Sequence, residues 1–471
     1  MVSLFRRKKQ KKVLVIGLDC ADPSLVFDQF AADMPSITRL RSNSLWGRLE
    51  STIPCITVPA WSSMLSSRDP GVLGFYGFRN RTGYDYNQLG IATGLAVKEK
   101  RVWDYLTDAD KSSVIIGVPQ TYPVRAMKGH LVSSFLTPSL ESAFAHPPEF
   151  KDEVLIHTDN SYMFDVKGFR TDKKDWLLQQ INDMTEIRFK LLDYLITGKE
   201  WELFMWVEMG VDRIHHGLWR YHDPAHRLYE PGNRFENAIR DYYAQIDYRV
   251  GQLLEKIDDN TSVLVVSDHG VSRMDGGVCL NEWLWKNGWL ALKQPPPEGE
   301  ITPFDKLEID WSKTKAWGEG GYYGRIFLNI QGREPQGIVP ASACEETRLE
   351  LEAALNTIVD ADTGQIVGAQ CFRPERIYAA TNGIPPDFIV YFGDLHYRSI
   401  GSMGHGAFTT QENDTGPDDA NHGQHGMFIW YDPAISQNRQ VEGHQLMDIA
   451  PTLLHTLGIE IPAKMQGRVI G

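Results

Sequence analysis

The side chains of this chain that could do chemistry are carboxylates and imidazoles standing where short apolar runs end. Residues 262–266, Ser-Val-Leu-Val-Val, read as a strand buried on both faces. They run into Ser267-Asp268-His269-Gly270. Oxygen and nitrogen donors side by side suit a divalent metal such as zinc. A second apolar run, residues 13–18, ends in Asp19. After the run 202–207 comes Asp212-Arg213-Ile214-His215-His216. If that turn is helical, Asp212 and His216 share one face and can hold one ion. Asn421-His422-Gly423-Gln424-His425-Gly426 offers two more imidazoles, His422 and His425. Taken singly, each histidine is more simply a satisfied core or surface residue. Their recurrence at strand ends makes a donor set large enough for two metal sites.

Such a centre needs a nucleophile. Residues 52–63 supply hydroxyls where a helix should begin, and Thr57 stands just before Val58-Pro59. Proline is tolerated in a first helical turn, and a helix start attracts an anion. The plainer reading of Thr57 is an N-cap threonine.

The elements that must position these groups alternate. Apolar strands at 13–18, 113–118, 202–207 and 262–266 are separated by helical patterns at 23–42, 173–197 and 234–258. The last helix repeats Phe235, Ile239, Tyr242, Ile246, Val250, Leu253 and Ile257, which gives one buried face. This order predicts an α/β fold, a mostly parallel sheet sandwiched between helices. The donors then fall at the carboxyl ends of strands, where open α/β sheets place their ligands. Residues 120–170, rich in Pro, Phe and Ser, are expected to be loops. At 291 the texture changes, with Pro295-Pro296-Pro297 and then Trp, Gly and Tyr around 316–323. Residues 291–383 are read as an inserted cap subdomain over a catalytic core of 1–290 and 384–471. Residues 386–391 are read as a strand returning to the sheet, and 447–457 as a terminal helix.

With 471 residues, 42% hydrophobic and 23% charged, the chain is long enough for one large α/β unit with insertions. A net charge of -13 argues against a nucleic-acid partner. Cys20, Cys55, Cys279, Cys344 and Cys371 are scattered and free of CxxC spacing, which suits a reducing compartment. No run approaches the ~18 apolar residues of a transmembrane segment. The basic residues 6–12 are read as a solvated tail, with weak contact to an anionic membrane surface as the alternative. The expected location is cytoplasmic.

The sequence resembles the alkaline phosphatase superfamily, in its type I phosphodiesterase/nucleotide pyrophosphatase branch. The resemblance rests on Gly17-Leu18-Asp19, Thr57-Val58-Pro59-Ala60-Trp61, Asp212 with His216, Ser267-Asp268-His269-Gly270 and His422 with Gly426. Asp448-Ile449-Ala450-Pro451-Thr452 and Gln466-Gly467-Arg468 add to it, and the order along the chain also agrees. It looks most like microbial members described as predicted phosphohydrolases or phosphomutases. The resemblance implies an alkaline phosphatase-like core and a two-metal phosphohydrolase, foremost a phosphodiesterase or nucleotide pyrophosphatase, acting through a covalent phospho-threonine at Thr57. It implies that Asp212, His216 and His422 hold one zinc, and that Asp19, Asp268, His269 and the Thr57 oxygen hold the other. Manganese is the alternative metal. His422 is preferred because Gly426 follows it by four residues, as in the family. His405, in Gly404-His405-Gly406, is its rival, and His215 and His425 have no ligand role.

The Thr57 amide, with Asn80 or Arg79, is the candidate phosphate donor set. The implied substrate is a small-molecule phosphodiester or nucleotide. Trp317, Tyr322 and Tyr323 would stack on a base or sugar, or simply pack. Arg325 and Arg333 would meet a second phosphate or only solvent. The Cys-x-Pro-x-Arg motif of sulfatases is absent at Cys55, and Leu73 stands where many relatives carry histidine. The alternatives are a phosphomutase of the phosphoglycerate-mutase type and a non-catalytic metal-binding member of the fold.

Overall fold

Side-chain alternation along the strands decides the layering. In strand Lys12–Leu18, Leu14, Ile16 and Leu18 pack against one set of helices, while Val13 and Val15 pack against another. Strand Thr261–Val266 divides in the same way, with Val263 and Val265 on the first face and Leu264 and Val266 on the second. The first face is covered by helices Lys174–Gly198, Gly210–His222 and Ala238–Leu254, the second by Thr57–Ser66, Val102–Asp108 and Ile449–Thr456. Both faces of these strands are therefore dry, which is why they read as unbroken apolar runs. The computed structural model describes residues 11–297, 299–435 and 437–471. The basic residues 6–9 lie outside the described residues.

Lys12–Leu18 lies in parallel between Leu203–Glu208 and Thr261–Val266. Ser113–Ile116 and Gly129–Val132 extend the parallel set beyond Leu203–Glu208. On the other side His425–Tyr431 runs antiparallel to Thr261–Val266, followed by Leu45–Glu50. The sheet is mixed, with a parallel centre. Among the described residues no helix is long and apolar enough to cross a membrane.

A second sheet stands beside the first. Its spatial order is Ala316–Glu319, Gly324–Leu328, Phe388–Phe392, Tyr397–Ile400, Gly276–Cys279 and Thr409–Thr410, with Ala369–Phe372 also on Phe388–Phe392. Helices Leu280–Lys286 and Cys344–Leu355 bury Leu280, Leu284, Leu351 and Leu355 against it.

Several boundaries differ from the sequence expectation. The second sheet reaches beyond 291–383 on both sides, because strands before and after that span pair with each other. The 386–391 run forms Phe388–Phe392 inside the second sheet, and His425–Tyr431 is the strand that returns to the central one. The expected helix at 23–42 is broken into Leu25–Gln29 and Pro35–Arg41, since Pro35 has no amide with which to continue a preceding helix. The 120–170 stretch contains strands Gly129–Val132 and Ala145–His146 and helix Phe150–His157.

Gly17 is where strand packing meets the edge that carries Asp19. A Cβ there would stand 2.7 Å from Trp61 Cη2 and 2.9 Å from Val207 Cγ2. Gly17→Ala should therefore destabilise the chain by about 1–3 kcal/mol through overpacking. Urea unfolding at fixed metal concentration reads this directly, and an unchanged midpoint would mean that Trp61 moves aside freely.

Candidate metal centre

Three parallel strands end at one edge of the sheet, and each leads into a donor-bearing turn. Asp19 follows Lys12–Leu18, and Asp268 and His269 follow Thr261–Val266. Leu203–Glu208 passes through Met209 into helix Gly210–His222, whose first two turns carry Asp212 and His216. The last imidazole arrives on a ribbon. Gly270–Arg273 pairs antiparallel with Ala420–Gly423, which sets His422 opposite Val271. Thr57 is the first residue of helix Thr57–Ser66, after an extended Ile56.

All seven side chains are buried, and they converge. Asp212 Oδ1 lies 3.2 Å from His216 Nε2 and 3.7 Å from His422 Nε2. Those two nitrogens are 3.2 Å apart. Alongside, His269 Nε2 stands 3.2 Å from Asp268 Oδ2, 3.9 Å from Asp19 Oδ1 and 3.5 Å from Thr57 Oγ1. Asp19, Asp268 and His269 offer ligand atoms within 4.8 Å of one another, as do Asp212, His269 and His422. His269 falls in both groups because its ring stacks on that of His422 at 3.9 Å. The two groups adjoin.

Each donor is held from behind, with its other atom turned to the centre. Trp61 Nε1 donates to Asp19 Oδ2 at 2.7 Å, the Cys20 amide donates to Asp268 Oδ1 at 3.2 Å, and Arg213 pairs with Asp212 Oδ2. The opposite oxygens, Asp19 Oδ1, Asp268 Oδ2 and Asp212 Oδ1, are buried without a hydrogen-bond partner among the described residues. The imidazoles follow the same rule. Nδ1 of His422 is 3.0 Å from the Cys55 carbonyl, and Nδ1 of His269 is 3.0 Å from the Gly270 carbonyl. Nδ1 of His216 meets Asp418 Oδ1 at 2.7 Å and the Ala420 carbonyl at 3.0 Å. A carbonyl on Nδ1 leaves the Nε2 lone pair for a metal.

The electrostatics agree with this reading except at His216, whose proton a metal would displace. Burial first, then Asp268 and Asp212, push the Asp19 carboxyl well above its ordinary value. Burial likewise raises Asp268. Burial also opposes ionisation of Asp212, but His216 and Arg213 outweigh it and hold that carboxyl low. Burial depresses His269 and His422, which favours the neutral imidazole that binds metal. His216 is raised to about 9, because Asp418 and Asp212 outweigh its burial. Buried acceptor oxygens that repel one another and lack donors are stabilised by a cation, so the residues present fit a divalent metal.

The other expected residues go elsewhere. His215 Nε2 is 3.2 Å from the Tyr243 hydroxyl, His425 Nδ1 is 3.1 Å from Arg48, and His405 Nε2 is 3.0 Å from Ser402 Oγ. Asn80 does not face the centre, since its amide accepts from the Tyr76 N–H and donates to the Gly77 carbonyl within its own turn. Arg79 lines the cavity over the centre, as do Tyr322, Tyr323 and Arg325. Trp317 instead packs in the second sheet's core, and Arg333 pairs with Asp387 at 2.7 Å. Sequence reasoning passed over Asp418, and it named Trp61 only within the Thr57–Trp61 motif, without its bond to Asp19. Asp418 could have been suspected as a carboxylate four residues before His422.

A family model for type I phosphodiesterase/nucleotide pyrophosphatase matches residues 13–428. A search of curated protein sequences returns no match. Among solved structures, human ectonucleotide pyrophosphatase/phosphodiesterase 5 is similar at 13% identity and a TM-score of 0.56, with 96% of each chain covered. The murine counterpart, an inactive threonine-to-alanine variant in complex with AMP, is similar at 14% identity and a TM-score of 0.54, also with 96% of each chain covered. At such identities the likeness shows the fold, an alkaline phosphatase-like α/β architecture.

The role of Asp418 behind His216 is open to direct measurement. Asp418→Ala should weaken zinc retention by about 10–100-fold, the usual effect of losing the carboxylate behind a ligating imidazole. His425→Ala should leave retention unchanged. Competition against a chromogenic chelator compares the two, and equal retention in both variants would show that His216 is oriented without Asp418.

Proposed function

This chain belongs to the type I phosphodiesterase/nucleotide pyrophosphatase family, and from that premise we propose that it is a two-metal phosphodiesterase whose nucleophile is Thr57. One observation carries the reading. Three unpartnered carboxylate oxygens and three imidazoles crowd one buried space beside a threonine hydroxyl at a helix start. Asp212, His216 and His422 would hold one cation, and Asp19, Asp268, His269 and the Thr57 oxygen the other. The assignment of His269 to the second group follows from its short approach to Asp268. Mixed oxygen and nitrogen donors favour zinc, with manganese as the alternative. When bound, two divalent cations supply the charge that eases deprotonation of a hydroxyl or a water and offsets charge on the phosphoryl and leaving oxygens.

The chain's own groups then do the following. Thr57 Oγ1 attacks phosphorus, a new Oγ1–P ester forms, and the bond to the leaving oxygen breaks with its electron pair. The first-turn amides of Thr57 and Val58 have no acceptor within their helix and would be available to the phosphoryl oxygens. Water then attacks the phospho-threonine, breaks the Oγ1–P bond, releases a phosphomonoester and restores the hydroxyl. Asp418, Trp61 and Arg213 hold the ligand side chains in place throughout. The substrate is a small diester or nucleotide, held in a cavity of about 400 Å³ walled in part by Phe78, Phe135, Phe169 and Tyr322. The cytoplasmic placement rests on the scattered cysteines of the sequence.

Two substitutions separate the nucleophile from the ligands. Thr57→Ala should lower kcat/KM for bis-p-nitrophenyl phosphate on the order of a thousandfold or more while bound zinc per chain largely persists. Asp268→Asn should reduce bound zinc and activity together. Turnover of Thr57→Ala at the wild-type rate would remove Thr57 from the chemistry.

A further inference from the structure

Strand Phe388–Phe392 of the second sheet has two working faces. Phe388, Val390 and Phe392 pack into that sheet's own core, whereas Ile389 and Tyr391 share a separate cluster with Cys55 and Ile56, the residues that lead into Thr57. Tyr391 is 2% exposed, and its ring meets that of Phe372 edge to face, with centroids 4.9 Å apart. The hydroxyl at its tip is used twice. It accepts the Cys55 N–H at 3.0 Å and donates to Gln424 Oε1 at 3.1 Å. Burial raises the phenol well above its ordinary value, so the proton needed for that donation stays in place. Gln424 Nε2 in turn donates to the Ser51 carbonyl at 2.8 Å, and the Ser51 amide donates to the Gln424 carbonyl at 2.9 Å.

The segment so enclosed, 51–57, ends in the proposed nucleophile and touches both donor groups. The Cys55 carbonyl faces Nδ1 of His422 at 3.0 Å, and the Ser51 hydroxyl donates to the Asp268 carbonyl at 2.6 Å. Cys55 is thus held by both of its backbone groups, the carbonyl by a candidate ligand and the amide by a side chain from the other sheet. Resting on the proposed hydrolysis at Thr57, we propose that Tyr391 is a positioning residue for that reaction, whose hydroxyl latches segment 51–57 to the ribbon bearing His422 and so keeps Thr57 Oγ1 aligned with the donors. A nucleophile misplaced by about 1 Å can lose on the order of a hundredfold in rate. Tyr391→Phe keeps the ring and its packing but leaves the Cys55 N–H and Gln424 Oε1 without their shared partner. Tyr397 provides a matched control in the same sheet, since its hydroxyl donates instead to Asp360 Oδ2 at 3.1 Å.

The test compares the zinc-loaded full chain with its Tyr391→Phe and Tyr397→Phe variants in three measurements. These are steady-state hydrolysis of bis-p-nitrophenyl phosphate, bound zinc per chain, and hydrogen–deuterium exchange in a peptide spanning 51–58. Tyr391→Phe should lower kcat about tenfold or more with KM held within about twofold. Bound zinc should stay the same, and exchange in 51–58 should quicken by about tenfold, the scale of one lost hydrogen bond. Tyr397→Phe should match the unsubstituted chain throughout. A kcat unchanged in Tyr391→Phe overturns the positioning role, as does a fall in kcat without faster exchange in 51–58. A loss confined to KM, one that follows lost zinc, or one that Tyr397→Phe shares overturns it too, since none of these is a misaligned nucleophile. If the unsubstituted chain leaves the diester intact, the diesterase reading falls and exchange alone decides the latch. Faster exchange in Tyr391→Phe then keeps it, and unchanged exchange removes it.

Discussion

Asp19, Asp212 and Asp268 share one buried space at the edge of the central sheet, each with an oxygen that no donor among the described residues satisfies. Like charges held that close in a low-dielectric interior cannot all ionise without positive charge among them. The fold does not relieve this crowding with lysines or arginines on the inner oxygens. It holds the carboxylates in place, an arrangement that a divalent cation would stabilise. Parallel pairing makes the arrangement possible, because Lys12–Leu18, Leu203–Glu208 and Thr261–Val266 all point their carboxyl ends the same way.

Holding those groups takes a second layer of contacts, and several residues serve two purposes in it. Trp61 lies in the helix that begins with Thr57 and donates to Asp19, so one indole ties the helix of the proposed nucleophile to a candidate metal donor. The Cys55 carbonyl orients His422 from two residues before Thr57. Arg213 anchors Asp212 to Asp165, from the neighbouring position on the same helix. Displacement of any of these would reach the centre through a single hydrogen bond.

The second sheet takes part in the centre as well as covering it. The Tyr322 hydroxyl donates to Asp418 Oδ2 at 2.9 Å, and its ring stacks on His216 with centroids 4.9 Å apart. Asn421, beside His422, donates to the Tyr322 carbonyl at 2.9 Å. These contacts tie the cavity wall that bears Arg325 to the donors below it, so that the wall and the donor set belong to one network.

The sequence by itself determined the α/β class, the strand-end carboxylates and the helical pairing of Asp212 with His216. These follow from short unbroken apolar runs and from a spacing of about four residues, which a chain displays locally whatever it later packs against. It also marked Thr57 as a helix start. The tertiary structure decided the rest. Strand Phe388–Phe392 joined the second sheet, and that sheet drew in Gly276–Cys279 and Tyr397–Ile400 from outside the span 291–383, because the choice of pairing partner is made between residues far apart in sequence. Asn80 turned into its own loop, and Asp418 came behind His216 from about two hundred positions away. Which atom of each donor faces the centre was likewise set by those distant partners, since a carboxylate or an imidazole has two ends and only its surroundings choose between them.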